Sequence, residues 1–249
     1  MGKTNLQPHI RCGNEDSARY AILPGDPKRV DRIKEYLTDV RDIDFNREYK
    51  SIRGVYKGVD VMAVSTGIGG TSTGIAVEEL HNIGVETMIR IGSCGALQPE
   101  IKLGDLILIN GAVRDDGASK AYIDSIYPAV PDTQLLVCTM EAAEDNKFRF
   151  HVGKARSHDS FYTDEEDEID KFWASKGILG ADMETSALFV IGGLRKVRTA
   201  SILNTVVESS GGLENGINSY VNGESLTKIG EEHEIITALE AIYKINKKE

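Results

Sequence analysis

The sequence predicts an α/β fold, and three observations carry that prediction. Apolar runs of strand length alternate with stretches of helix length along most of the chain. Several of the strand-like runs end in glycine-rich turns, as strands do when they hand over to helices around a ligand. One run, "VETMIRIGSCGAL" at 85–97, is nearly continuously apolar, which suits a mixed or parallel sheet covered on both faces.

The elements follow in order. "YAILPG" (20–25) reads as the first strand, ending in a turn at Pro24 and Gly25. "DPKRVDRIKEYL" (26–37) reads as a helix with Asp26 as its cap and Pro27 at its first position, where a missing N–H costs nothing. "VDVMAVST" (59–66) is a second strand and "STGIAVEELHNIG" (72–84) a helix ending near Gly84. The apolar strand at 85–97 is followed by "GDLILINGAV" (104–113), another strand. "TQLLVCTMEAAEDN" (133–146) is helical, "HVGKARS" (151–157) a strand, "ADMETSALFVIGG" (181–193) a helix and "VRTASILNTVVES" (197–209) a strand. The last helix spans 223–245, with Leu226, Ile229, Ile235, Leu239 and Ile242 as its apolar stripe. Residues 115–131 and 208–223 read as polar loops.

The chain has 249 residues, 41% of them hydrophobic, enough for one domain over 1–249. No window of 18 apolar residues suggests a membrane span, and "MGKTNLQPHI" lacks the apolar core of a secretion signal. Leu6 stands where a myristoylation signal wants Ser or Thr. Cys12, Cys94 and Cys138 form no Cys-x-x-Cys pair, so reduced thiols and a cytoplasmic location are expected. The histidines show no metal spacing. A formal charge of −10 argues against nucleic acid, though not against a small anion gripped by a few local arginines.

Glycine turns at 24–26, 66–70 and 92–95 can each aim backbone N–H groups at one anion. A dinucleotide fingerprint is excluded by spacing, because Ser72 stands where Gly67-Ile-Gly69 would need its third glycine. The glycines read otherwise as permits for tight turns. Arg90, inside an apolar strand, needs a partner: a core carboxylate or a bound anion. Arg29 follows the first turn and is either an exposed helix residue or a second anion ligand, while Arg47 cannot be placed by spacing. Glu184 reads as a helix-start charge or as a polyol ligand.

The runs "PGDPKRV", "NREY", "VSTGIGGTSTGIAVEEL", "IRIGSCGALQP", "GDLILINGAVRDDGAS", "YPAV", "HDSFY" and "ADMETSALF" resemble, in order and over about residues 9–205, the nucleoside phosphorylase family. That family includes uridine phosphorylases and hexameric purine nucleoside phosphorylases, and the glycine segments are most similar to the uridine branch. The resemblance implies a single α/β domain around a mixed, distorted sheet, and dimers that assemble as trimers of dimers. It implies reversible phosphorolysis with phosphate as co-substrate and no metal or organic cofactor. Phosphate would be held by Gly25, Arg29, Arg90 and Ser93, with Arg47 reaching into the partner subunit's site. Ribose would be held by Met183 and Glu184 and by His9 from the neighbour, which otherwise reads as an exposed terminal residue. Phe161, otherwise an ordinary core aromatic, would line the base pocket with Thr205 and Val206.

The base pocket departs from both branches. Uridine enzymes follow the "FY" with glutamine and arginine, where this chain has Glu165 and Asp167 in a run of six acids from Asp164 to Asp170. Those acids also read as a solvated helix start. Purine enzymes carry a proton-donating aspartate near Val206, and valine has no proton to give. Uridine phosphorolysis is the expected reaction. Purine nucleoside phosphorolysis, hydrolysis of adenosine thioether nucleosides and nucleoside binding without turnover are the alternatives.

Overall fold

A computed structural model describes residues 6–211 and 225–249 of the chain. Strand β1 (Tyr20–Pro24) is wholly buried and leads into α1 (Pro27–Lys34), where the Asp26 carboxylate accepts from the Lys28 amide, 2.9 Å, and Pro27 opens the helix. A hairpin of β2 (Thr38–Asn46) and β3 (Tyr49–Tyr56) follows, then β4 (Val59–Val64) and α2 (Gly70–Asn82). The long strand β5 (Thr87–Ala96) precedes β6 (Leu106–Asp115), the short helix α3 (Gly117–Tyr122) and α4 (Thr133–Asp145). The second half comprises β7 (Phe150–His158), α5 (Glu166–Ala174), β8 (Gly180–Asp182), α6 (Thr185–Leu194), β9 (Arg198–Val207) and the final helix α7 (Ser225–Lys248).

The strands form one mixed nine-stranded sheet in the order β2-β3-β4-β1-β5-β8-β7-β6-β9. β9 also pairs with β5, so β5, β8, β7, β6 and β9 close a ring and the other strands extend from it as a wing. This is the expected α/β architecture with a mixed, distorted sheet flanked by helices. β5 shows why both faces need cover: Met88 points into the apolar cluster of α2 and α6, and Ile89 and Ile91 into that of α1, α4 and α7.

Four differences from the sequence reading have physical causes. The β2–β3 hairpin was not expected, because β2 is a half-exposed, charged strand without clean alternation, and its register shifts twice, between Thr38 and Arg41 and between Asp42 and Asp44. The expected loop at 115–131 contains α3, capped by Asp116, whose carboxylate accepts from the Ser119 amide. The expected helix at 181–193 begins later: Ala181 and Asp182 belong to β8, and Glu184 is the N-cap of α6. In α7 the stripe holds for Ile235, Leu239 and Ile242, but Leu226 and Ile229 are exposed, and Thr227, Glu231 and Glu234 are buried near that end instead. The expected loop at 208–223 lies from residue 212 onward outside the described residues, as do positions 223 and 224 of the expected helix.

α7 docks on the ring through a close backbone approach. Asn204 of β9 donates to the Thr227 carbonyl at 2.8 Å, and a Cβ at Gly230 would overlap Asn204 Oδ1 and lie 2.7 Å from the Gly104 Cα. Gly230→Ala should therefore destabilise the protein, since overpacking costs about 1–3 kcal/mol against a gain of about 1 kcal/mol in helix propensity. Urea unfolding with a lowered midpoint is the expected result; an unchanged or raised midpoint would mean that α7 can shift without loss.

Candidate active site

β1 runs parallel to both β4 and β5, so their carboxyl ends lie on one side and their glycine turns meet there. The Gly67 amide donates to the Gly25 carbonyl at 3.0 Å, and the Thr66 amide to the Pro24 carbonyl at 2.9 Å. Gly67 and Gly69 hold φ of 71° and 94°, the left-handed region in which a side chain is strained. Gly69 caps α2, and with φ positive its amide turns away from the helix toward Glu184.

Arg90 of β5 is buried, and its guanidinium lies across Gly92, where a Cβ would overlap it. Its Nε donates to Asp182 Oδ2 at 3.0 Å, and its Nη2 meets Glu184 Oε2 at 2.5 Å. Glu184, also buried, accepts at Oε1 from the Gly69 amide, 2.6 Å, and at Oε2 from the Met183 amide, 3.3 Å. Burial pushes the Glu184 carboxyl above the usual carboxylate range, and Arg90 works against that rise. For Arg90, burial disfavours the charge, but Glu184 and Asp182 outweigh it and hold the guanidinium protonated. Of the two sequence readings of Arg90, the core-carboxylate partner is thus present, beside the glycine turns.

Asp182 is the residue whose importance sequence reasoning missed. Besides Arg90 it accepts from Ser157 Oγ at 2.6 Å, from the Thr185 amide at 3.0 Å and from Thr185 Oγ1 at 2.6 Å. It ties β5, β7 and the start of α6 together, and only its place two residues before Glu184 hinted at this.

Arg29 is buried rather than exposed. Its Nη1 donates to the Ile91 carbonyl at 3.3 Å and lies 3.1 Å from Glu234 Oε1, while its Nε lies 3.3 Å from Glu231 Oε2. Neither glutamate was expected at the site. Ser93 sits on β5 opposite Asn204 of β9, and Gly25 begins the first turn. Arg47, at φ 56°, is exposed at the tip of the β2–β3 hairpin, where the adjacent Glu48 accepts from Ser72 Oγ at 2.7 Å beside the second glycine turn. His9 is partly exposed, and its Nδ1 is 2.6 Å from Glu79 Oε1 on α2.

Further along the β5–β9 pair, Thr205 and Val206 are buried in β9, with Thr205 opposite Cys94. Phe161 is half-buried and packs edge-on against Tyr162, ring centroids 4.9 Å apart. Glu165 and Asp167 are exposed at the start of α5, which fits the solvated helix-start reading. Sequence reasoning also missed Arg156 of β7. It is buried, in register with Ala181 and, through it, with Gly95, and it pairs with Asp115 at 2.9 Å, Glu166 at 3.4 Å and Asp170 at 3.9 Å. Burial raises the Asp170 carboxyl above its usual range, Glu166 adds to the rise, and Arg156 opposes it.

Among the described residues no group of three or more His, Cys, Asp or Glu is placed to hold a metal ion, and no helix is long and apolar enough to cross a membrane. Buried arginines and glycine turns at converging strand ends, next to a buried carboxylate, are groups with which an α/β enzyme can receive an anion and hydroxyls.

The comparisons with known proteins give that class a family. A model of the phosphorylase superfamily matches residues 19–215, and the chain belongs to that superfamily. A uridine phosphorylase from Thermococcus kodakarensis is 51% identical over 157 residues, 63% of this chain and 57% of the relative. A guanosine phosphorylase from Halorubrum lacusprofundi is 42% identical over 196 residues, 79% of this chain and 81% of the relative. Among solved structures, uridine phosphorylase from Vibrio fischeri superposes with a TM-score of 0.91 at 48% identity, covering 98% of this chain and 100% of that one. Purine nucleoside phosphorylase from Toxoplasma gondii superposes at 0.90 with 27% identity over 100% of both chains.

Asp182→Ala should cost about 3–5 kcal/mol of stability, because it leaves the buried Arg90 charge half-partnered. Thermal and denaturant unfolding would check this, and a near-neutral result would show that Glu184 alone neutralises Arg90.

Proposed function

We propose that this enzyme is a uridine phosphorylase: uridine and phosphate exchange reversibly with uracil and ribose 1-phosphate. The observation that carries the reading is Glu184, held between the Gly69 amide and Arg90 where the glycine turns converge. The uridine phosphorylases from Thermococcus and Vibrio fischeri support the choice of base.

In this reading phosphate lies against Gly25, Arg29, Arg90 and Ser93, and serves both as nucleophile and as counter-charge to the oxocarbenium-like sugar. Arginine's planar fork grips two oxygens, and donors fixed before the reaction need not reorient as charge develops. Glu184 accepts from the ribose 2′- and 3′-hydroxyls beside Met183. Phe161, Thr205 and Val206 flank the base, with Glu165 and Asp167 at the rim. The departing uracil spreads its negative charge over O2 and O4, so no protonating aspartate is required near Val206. The chain acts as a single cytoplasmic domain in an oligomer of at least dimers, arranged as a trimer of dimers. Arg47 on its exposed hairpin tip and His9 serve the neighbouring subunit's site. The guanosine phosphorylase relative favours purine nucleosides as the second reading, against which Val206 stands.

Free-base release from uridine and inosine, each with and without phosphate, tests the proposal. Phosphate-dependent uracil release is expected; phosphate-dependent hypoxanthine release alone would make purines the substrate, and release without phosphate would mean hydrolysis. Arg90→Ala should slow phosphorolysis on the order of 10²-fold or more. A normal phosphate-dependent rate in that variant would remove Arg90 from the mechanism.

A further inference from the structure

Glu234 on α7 is a fully buried carboxylate that the mechanism above does not use. Its charge is only partly met: Oε1 lies 3.1 Å from Arg29 Nη1, and the Gly92 amide approaches the carboxylate. Arg29 already faces Glu231, and Arg90 already faces Asp182 and Glu184. With every one of these groups ionised, three arginines among the described residues, Arg29, Arg32 and Arg90, face four carboxylates, and the excess negative charge opposes an incoming phosphate. A neutral Glu234 removes one of those negative charges and releases Arg29 from one of its two glutamates.

We propose that Glu234 is a positioning residue that couples phosphate binding to a proton. As a neutral acid it leaves Arg29 oriented toward the glycine turns, and as a carboxylate it holds Arg29 and repels the incoming anion. The proposal rests on the reading of Arg29 as a phosphate ligand.

The surroundings allow the coupling to work near neutral pH. Burial pushes the Glu234 carboxyl up to about 8 against the pull of Arg29; Glu231 adds to the rise, while Arg90 and the Gly92 amide oppose it. Below that value the group carries its proton, and phosphate, by adding negative charge, favours the proton further. Binding therefore takes up a proton at and above this range, and affinity falls as pH rises through it. The other neighbours do not confuse the reading. Arg32 of α1 is engaged with Glu231, the Cys94 thiol of β5 is held protonated by burial, and His233 on α7 stacks on Phe148 with its ring biased to the neutral form by burial.

Inorganic sulfate is the probe, because it stays a dianion from pH 6 to 9 and any pH dependence of its affinity belongs to the protein. Calorimetric titration of the full-length protein should show an affinity nearly constant below pH 7 that falls toward tenfold per pH unit above about 8. Glu234→Gln should bind sulfate with little change across the range and about tenfold more tightly than the wild type at pH 9. Equal pH slopes in the two proteins would overturn the proposal while leaving phosphorolysis intact, and a wild type that binds no sulfate at any pH would overturn it together with the role of Arg29. Should Glu234→Gln fail to fold, Glu234→Met serves in its place. Titration of the wild type in two buffers of different ionisation enthalpy then reads the proton directly, and no proton uptake at pH 8.5 would refute the coupling. Phosphate-dependent uracil release is measured separately, so failure of the substrate reading and failure of the proton linkage are told apart.

Discussion

The ion cluster of Arg90 with Asp182 and Glu184 is the constraint around which the site is organised. A guanidinium inside an apolar strand is tolerable only if its charge and its donors are met, and here two carboxylates from one short segment meet both. That requirement dictates local structure. Gly92 must be bare so that the guanidinium can lie across it, β8 must run beside β5 to deliver Asp182, and α6 must begin at Glu184. Glu184 then passes the constraint to the Gly69 amide, which links the glycine turn of β4 to the arginine of β5.

The closed part of the sheet gives these groups a rigid mounting. Each of the five ring strands has neighbours on both sides, so Arg90, Arg156, Ser157 and Thr205 stand on backbone with little freedom to shift. α7 reaches this ring from outside and brings Glu231 and Glu234 to Arg29, which extends the charged network from the strand ends into the helical layer. The protein thus holds its cations in place with its own carboxylates, a costly arrangement in a dry interior that makes sense where an anion must be received.

Much of this was legible in the sequence, and what escaped has specific causes. Strands β1, β4, β5, β6 and β9 are largely apolar runs, and the three glycine turns and Arg90 stand out against them. Asp26 and Pro27 announced α1 by capping chemistry alone. β8 is only three residues long, too short for any periodicity, so Asp182 looked like a helix residue. The buried face of α7 was misread at its start because Leu226 and Ile229 fit a helical stripe, whereas the ion pairs to Arg29 turn Glu231 and Glu234 inward. Partners brought together across the fold, such as Arg156 with α5 and His9 with Glu79, leave no mark in local spacing.

The wing of the sheet ends at β2, which pairs on one side with β3 and forms one margin of the strand order. That margin carries Asp39, Arg41, Asp42 and Asp44, and its two register irregularities keep the strand from lying flat. A second chain seeking to add itself there would find mixed charges and a backbone out of step with its own repeat. The same irregularity that hid β2 from pattern reading guards the protein against growing, sheet by sheet, into an aggregate.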